Sequence, residues 1–568
     1  MSKSQVAERS ASYARQVAME PVCGLSFDLL ATAPQGVAKL RELILSLAVR
    51  GKLVSQHEDD HHAADLVQHL SVEKARFIET GKIRPSRRSE RDELSEVNHQ
   101  LPQGWVAVRL SDLAWPQAGF AFKSSGFNEV AEGLPLIRIR DVGVSNPTTF
   151  FAGEYRDEFV VRSGDWLISM DGDFRVAPWQ GPTSLLNQRV TRLIFFDAEV
   201  PPLYICLALQ QELRKLQGTK AYTTVDHLSG AQIASCVIPL PPLAEQARIV
   251  ARVEELMQLC DALEAHGRLQ DEQHARLVAT LFNALAASAS AEELAENWQR
   301  IATHFDLLLD RPEAIDALEQ TLLQLAVRGL LVPQDLNDPP VPMKGTTMTK
   351  RGLAPPGEDE VPFAIPKAWQ WTRLGWVTEF INGDRGKNYP NKSEYVPEGL
   401  PFINTGHIEP DGTLSSRSMN YLTRKKFESL RSGKTRVGDL VYCLRGATLG
   451  KTAIVDYTEG AIASSLVIIR LSDAVFRKYA YYYLVSPLGK SLVRRFDNGS
   501  AQPNLAATSV QRYVFPLPPL AEQHRIVARV EQLRRLCADL RERLQQARAT
   551  QSRLADALVS AAAQSPTC

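Results

Sequence analysis

Apolar positions recur with two different rhythms along the 568-residue chain, and the rhythms alternate. Ile249, Val253, Leu256, Cys260 and Leu263 step by four, three, four and three, and Leu277, Leu281 and Ala284 keep that phase. The same steps return in Ile526, Val530, Leu533, Cys537, Leu540, Leu544, Leu554 and Leu558. A heptad seam of this kind predicts helices packed lengthwise on one another. At 1.5 Å per residue, a helix of about 45 residues would be roughly 65–70 Å long. Pro241–Pro242 and Pro518–Pro519 stop a preceding strand and open the first turn, where a missing N–H costs nothing. Glu245 and Glu522 then lie near the positive end of the helix dipole. A shorter helical face holds Leu40, Ile44 and Leu47, with Leu318, Leu322 and Leu325 as its second copy, and ends at Gly51 or Gly329. Each glycine suits a left-handed cap. Elsewhere short β-branched or aromatic runs (LPLIRIR, GDWLISM, RVTRLIFF, GDLVYCL, SSLVIIRL) alternate with Gly, Asn and Asp turns, which predicts strands.

The pattern is a tandem duplication. VAKLRELILSLAVRGKLVSQ (37–56) matches IDALEQTLLQLAVRGLLVPQ (315–334), LPQGWVAVRL matches IPKAWQWTRL, and VRSGDWLISMDG matches TRVGDLVYCLRG. Between residues 239–254 and 516–531, fifteen of sixteen positions are identical. The expected order is an N-terminal helical segment (1–60), a helical linker (61–100) and a first globular domain (101–240). A central helical region (241–334), a linker (335–364), a second globular domain (365–517) and a C-terminal helix (518–568) follow. The fold class is α+β, or mixed α/β. Two β-rich domains are separated by a long antiparallel two-helix coiled-coil spacer, with an internal pseudo-two-fold axis. Two readers held this way would address two DNA half-sites at a fixed separation.

Composition narrows the function classes. At 568 residues the chain exceeds one hydrophobic core. No apolar run reaches the roughly 18–20 residues that span a bilayer, and the first 22 residues hold no secretory h-region. The seven cysteines stand singly, without CxxC spacing, which argues against zinc ribbons and disulfide frameworks and suits a reducing cytoplasm. The net charge of zero hides an asymmetry: residues 101–238 hold 12 Lys+Arg against 14 Asp+Glu, and residues 365–515 hold 21 against 12. The surplus of nine in the second domain suits a polyanionic partner, and a solvated surface explains it equally well.

PLPPLAEQxRIVARVE, present twice, resembles the conserved regions of the specificity (S) subunit of type I restriction-modification systems. LRELILSLAVRGKLVSQ resembles the start of one branch of that family, and GWxxxRL with GDxL downstream resembles its target-recognition domains. The resemblance covers nearly the whole chain from about residue 37. It implies a non-catalytic subunit of a bacterial or archaeal cytoplasm that reads a split, asymmetric target in double-stranded DNA, one half per domain. It also implies docking of two methyltransferase (M) subunits, joined by restriction-motor (R) subunits. S-adenosylmethionine, ATP and Mg are then expected on the partner subunits, with no cofactor or metal on this chain. The alternatives are a self-contained DNA methyltransferase or nuclease, and a coiled-coil scaffold without nucleic acid.

Three stretches imitate catalytic motifs. GATLGKT (446–452) resembles a P-loop but has three residues where four are needed before GK[ST], so a turn between strands is expected. NDPPV (337–341) has Val341 where an amino-methyltransferase motif has an aromatic residue. HEDDHH (57–62) offers metal-ligand types in a polar stretch and is expected to be a solvated charge run. Asp165 and Asp439 are expected to be turn residues at strand starts. Direct readout favours Arg, Lys, Asn and Gln on loops. The candidates are Lys123, Arg138, Arg140, Arg175, Gln188 and Lys220 in the first domain, and Lys387, Asn404, Arg445, Lys451, Gln502 and Asn504 in the second. Each of them alone equally suits a plain solvated surface. Ile249, Val253, Leu256, Leu263, Ile526, Val530, Leu533 and Leu540 are assigned to the spacer core.

Overall fold

The computed structural model describes residues 27–83, 101–198, 200–217, 227–341, 353–496 and 504–564. Its packing separates into two units, residues 1–269 with 548–568 and residues 270–547.

In the first unit α1 (Gly36–Val49) buries Leu40, Leu43, Ile44 and Leu47 on one face. Each such side chain contributes about 1.5–3 kcal/mol when removed from water. The helix ends where Gly51 turns to φ +66° and the Lys52 N–H bonds to the Leu47 carbonyl at 3.0 Å. A Cβ on Gly51 would lie 2.6 Å from the Pro102 ring and 2.9 Å from Trp105, so the cap is also the seat of the following domain. Helix α2 (Ala63–Glu79) follows, capped by His62, whose Nδ1 accepts from the Ala64 N–H.

The first globular domain opens with β1 (Val106–Arg109) and closes with β8 (Val237–Leu240), and these two pair antiparallel, Val106 opposite Leu240. Between them run β2 (Ala114–Ala118), β3 (Leu134–Ile137), β4 (Trp166–Ser169), β5 (Val176–Pro178), β6 (Ser184–Leu186), β7 (Val190–Phe195) and α3 (Pro202–Leu216). One antiparallel sheet has the order β2-β7-β4-β5, and a second contains the parallel pair β3 and β6. Helix α4 (Leu243–Ala287) then extends for 45 residues. Its Ile249, Val253, Leu256 and Cys260 share a core with α1 and α3, with Leu263 packed against it. Ala555 and Ala562, near the end of the last helix, complete that core. Lys39 binds Asp556 (2.8 Å) and Arg41 binds Asp261 (2.7 Å) at its edge.

The second unit repeats the plan. Helix α5 (Pro312–Arg328) ends at Gly329, φ +74°, with the Leu330 N–H on the Leu325 carbonyl at 3.0 Å. The second domain contains β9 (Gln370–Arg373), β10 (Thr378–Asn382), β11 (Leu400–Ile403), β12 (Leu440–Cys443), β13 (Thr452–Ile454), β14 (Glu459–Ile462) and β15 (Leu466–Leu471). Helix α6 (Arg477–Val485) and β16 (Val514–Leu517) complete it. β9 pairs with β16, the main sheet runs β10-β15-β12-β13, and β11 and β14 form the parallel pair. Helix α7 (Leu520–Gln564) is again 45 residues. Ile526 and Val530 are buried against this domain. Cys537, with Leu533, Leu540 and Leu544 packed beside it, clusters with Val278, Phe282 and Leu285 of α4 and with Leu318, Leu322 and Leu325 of α5. Within each unit α1 or α5 therefore joins α4 and α7 at the seam.

The seam departs from a strict heptad at two equivalent places. Leu277 and Leu554 are each 51% exposed and Ala284 is exposed, while Val278, Phe282, Leu285 and Ala555 take the inner positions. A straight helix drifts by about 20° per heptad, hence about 60° over the three heptads from Leu256 to Leu277. That drift moves the buried stripe on by one residue, and the stretch from Leu533 to Leu554 has the same length.

The near-identical segment at residues 239–254 and 516–531 is a joint that fastens a domain to its helix. Trp105 Nε1 donates to Glu245 Oε2 at 3.0 Å, and Trp369 Nε1 donates to Glu522 Oε2 at 2.8 Å. Both carboxylates are buried, and burial raises their pKa values although the indole hydrogen bond opposes it. Gln246 and Gln523 donate to the carbonyls of Pro241 and Pro518, which no longer have a strand partner. Tyr204 and Tyr479 donate to the carbonyls of Pro239 and Pro516. Arg248 binds Asp60 (2.6 Å) and Arg525 binds Asp338 (2.5 Å). Asp60 and Asp338 are equivalent residues of the repeat. HEDDHH is thus no simple solvated run: Asp60 is only 10% exposed, and its Arg248 partner holds its carboxyl below the ordinary range. Asp338 of NDPPV forms the equivalent ion pair with Arg525 in the second copy.

Candidate nucleic-acid interface

Each domain brings four loops together at one end of the strands of its main sheet, and the backbone that joins them is the same in both. In the first domain the Met170 N–H bonds to the Arg189 carbonyl (3.1 Å) and the Leu228 N–H to the Met170 carbonyl (2.8 Å). In the second the Leu444 N–H bonds to the Ser465 carbonyl (2.9 Å) and the Leu505 N–H to the Leu444 carbonyl (2.9 Å). An isolated bridge then pairs Asp171 with His227, and its counterpart pairs Arg445 with Asn504. The loop leaving β2 or β10 passes so close that a Cβ on Gly119 would lie 2.0 Å from the Asn187 carbonyl oxygen. One on Gly383 would lie 2.7 Å from that of Ala463. Glycine is required at both crossings.

GDxL supplies the support beneath. Asp165 accepts from the Arg162 N–H and Asp439 from the Arg436 N–H, each at 2.8 Å, closing the turns that enter β4 and β12. Each carboxylate also pairs with an arginine of the neighbouring strand, Asp165 with Arg192 (3.3 Å) and Asp439 with Arg470 (2.8 Å). The turn after β3 and β11 is likewise shared: the Arg138 N–H donates to Asp141 Oδ2, and the Asn404 N–H to His407 Nδ1.

On this common frame the side chains differ. In the first domain His227 Nδ1 lies 2.7 Å from Asp171 Oδ1 and 3.1 Å from Arg189 Nη1. That nitrogen donates to the carboxylate or accepts from the guanidinium, one at a time. Arg189 also reaches Asp171 at 3.5 Å and keeps 51% of its side chain exposed. In the second domain the Arg445–Asn504 bridge borders a cleft of about 430 Å³, lined also by Asn382, Arg385, Phe496 and Thr508. Arg385 also donates to the Ser464 carbonyl at 3.3 Å.

The candidates named from sequence fall into several places. Arg445 and Asn504 meet at this end of the strands, and Gln188 stands beside Arg189 on the turn between β6 and β7. Lys123 and Lys387 are exposed on the loops leaving β2 and β10. Arg138, Arg140 and Arg175 gather around the turn after β3. Arg140 donates to Thr148 and Thr149, and Arg175 covers Gly143 and donates to the Val142 carbonyl at 3.3 Å. Asn404 is half-buried, and its Oδ1 caps the Gly406 N–H, so it forms the turn. Lys451 reaches the Ile408 carbonyl at 3.5 Å. Lys220 and Gln502 lie outside the described residues. Sequence reasoning passed over Asp171, Arg189, His227 and Arg385. Superposing the two copies position by position would have exposed the first, because Asp171 opposes Arg445 in the alignment.

GATLGKT forms the turn between β12 and β13, with Gly446 and Gly450 both at positive φ and the Gly450 N–H on the Cys443 carbonyl. Among the described residues no group of three or more His, Cys, Asp or Glu could hold a metal ion. No described helix is long and apolar enough to cross a membrane.

Comparison with known proteins adds the family. The model of the Type I restriction modification DNA specificity domain matches residues 102–271 and again residues 366–547. The EcoEI specificity subunit of Escherichia coli is 30% identical, over 93% of this chain and 94% of that protein. The EcoAI specificity subunit of the same organism is 29% identical over the same shares. A crystal structure of the HsdS subunit from Thermoanaerobacter tengcongensis is 21% identical. It covers 81% of this chain and 97% of that one, with a TM-score of 0.36.

Proposed function

The chain belongs to the type I restriction-modification DNA specificity family, and from that premise we propose that its two domains read the two unlike halves of one DNA target. It is a sequence-recognition subunit without catalytic residues of its own. The observation that carries the two-half reading is the duplicated loop frame. Identical backbone connections present Asp171, Arg189 and His227 in one copy and Arg385, Arg445 and Asn504 in the other. A homodimeric reader would carry the same side chains twice and favour a palindrome; two unlike sets suit an asymmetric target.

Assembly follows from the same proposal. Two methyltransferase subunits dock on the helical segments and restriction-motor subunits join them, so the methyl donor and ATP belong to those partners. The helices set the gap between half-sites. The acidic balance of the first domain, 12 basic against 14 acidic residues, leaves much of its phosphate contact to those partners. The experiment is DNA binding by the purified chain with and without its methyltransferase subunits over a range of salt. The complex should bind its methylated motif with a steep salt dependence, and the chain alone should bind weakly. A complex that shows no salt-dependent DNA binding would leave only a scaffold.

A further inference from the structure

We propose that Arg189 and Arg445 are the base-reading arginines of the two domains, each donating to a guanine of its half-site, and that Asp171 and His227 aim Arg189. The inference deepens the function above and rests on the reading that both domains bind DNA.

Strand register fixes the equivalence. Val190 pairs with Ser169 across β7 and β4, and Leu466 pairs with Cys443 across β15 and β12. Counting two residues on from Ser169 and Cys443 equates Asp171 with Arg445, and one back from Val190 and Leu466 equates Arg189 with Ser465. Each domain therefore has a single arginine at this pair of positions, contributed from opposite sides of the same backbone bridge. A cation on both sides would repel itself; an acid opposite the arginine holds it. Thus where the first domain puts Arg189 on the β6–β7 turn, the facing position is the carboxylate of Asp171. Where the second puts Arg445 at the exit of β12, the facing position is a small serine, which leaves the cleft open.

Both arginines are available to a ligand. Arg189 is half-exposed although Asp171 and His227 contact it, and Arg445 is exposed at the rim of the polar cleft. A guanidinium fixed in one plane matches O6 and N7 of guanine in the major groove. Ordering it beforehand lowers the entropy lost on binding. The Asp171–His227 pair supplies that ordering in the first domain.

The test uses the complex of the full chain with its methyltransferase subunits and duplexes bearing the methylated motif and each single base-pair change. For Arg189→Ala, cognate affinity should fall roughly ten- to a hundred-fold, and discrimination should vanish at one G·C pair of the first half-site only. Arg189→Lys keeps the charge but not the fork and should lose the same discrimination. Asp171→Asn should weaken selection at that same pair and add nothing in the Arg189→Ala background. Arg445→Ala should act likewise on the second half-site. Equal weakening on every duplex, with the salt slope reduced by about one, would make Arg189 a phosphate contact and overturn the proposal. So would unchanged selection at every position in a variant that melts like the parent. Failure of the underlying reading looks different: the unaltered complex would then show no preference for either half-site.

Discussion

Removing the indole N–H from the joint tests whether the repeated motif holds its domain in place. Trp105→Phe deletes the donor to Glu245, a carboxylate that is 0% exposed. A hydrogen bond to a charged group contributes about 1.5–3 kcal/mol, and the carboxylate left behind has no water to replace it. The smaller ring also leaves space beside Tyr204, whose ring centroid is 6.2 Å away, at a further cost of about 1 kcal/mol. The sum is about 2.5–4 kcal/mol. Denaturant unfolding followed by circular dichroism measures it, and Trp369→Phe should behave alike in the second unit. The decisive step is a double-mutant cycle with Glu245→Ala, for which the coupling energy should be about 1.5–3 kcal/mol. Additivity of the two changes to within about 0.5 kcal/mol would show that the contact is incidental and refute the joint as described.

Two further outcomes follow from the same region. Burial raises the pKa values of Glu245 and Glu522. Their contribution to stability is therefore complete below the pKa of an unfolded glutamate, about 4.3, and is lost as pH rises through the higher folded values. Glu245→Gln with Glu522→Gln removes that titration, so the variant should gain stability relative to the parent between pH 4 and pH 7 in thermal melts. A difference that does not change with pH contradicts the assignment. Gly329 has φ +74°, and a Cβ there would meet the Pro366 ring at 2.5 Å. Gly329→Ala should destabilise the second unit by more than about 1 kcal/mol, measured by denaturant unfolding; a neutral result would mean that the cap and the domain seat are not coupled.

The elements that the sequence predicts best are those in which chemistry and spacing act locally. Proline ends a strand, a glycine caps a helix, and apolar steps of three and four place Ile249, Val253 and Ile526 in a core; all of these are properties of neighbouring residues. What escaped depends on residues far apart in the chain. Asp60 and Asp338 appear as polar linker residues until Arg248 and Arg525, 188 and 187 positions later, close on them. The exposure of Leu277 and Leu554 comes from drift accumulated over three heptads, which no single window reveals. Arg189 looks like any surface arginine because Asp171 and His227 reach it only across the sheet. Asn404 shows the reverse: its residue type suits base reading, and only the fold shows that its side-chain oxygen closes the turn after β11.

The central claim is that the first globular domain selects one half of a two-part target and the second domain selects the other. Methylome sequencing of a host whose gene carries residues 101–240 exchanged for the corresponding domain of another family member tests it most directly. A new methylated motif should appear in which one half has changed and the other is retained. A motif altered in both halves, or one that does not depend on the exchanged domain at all, would contradict it.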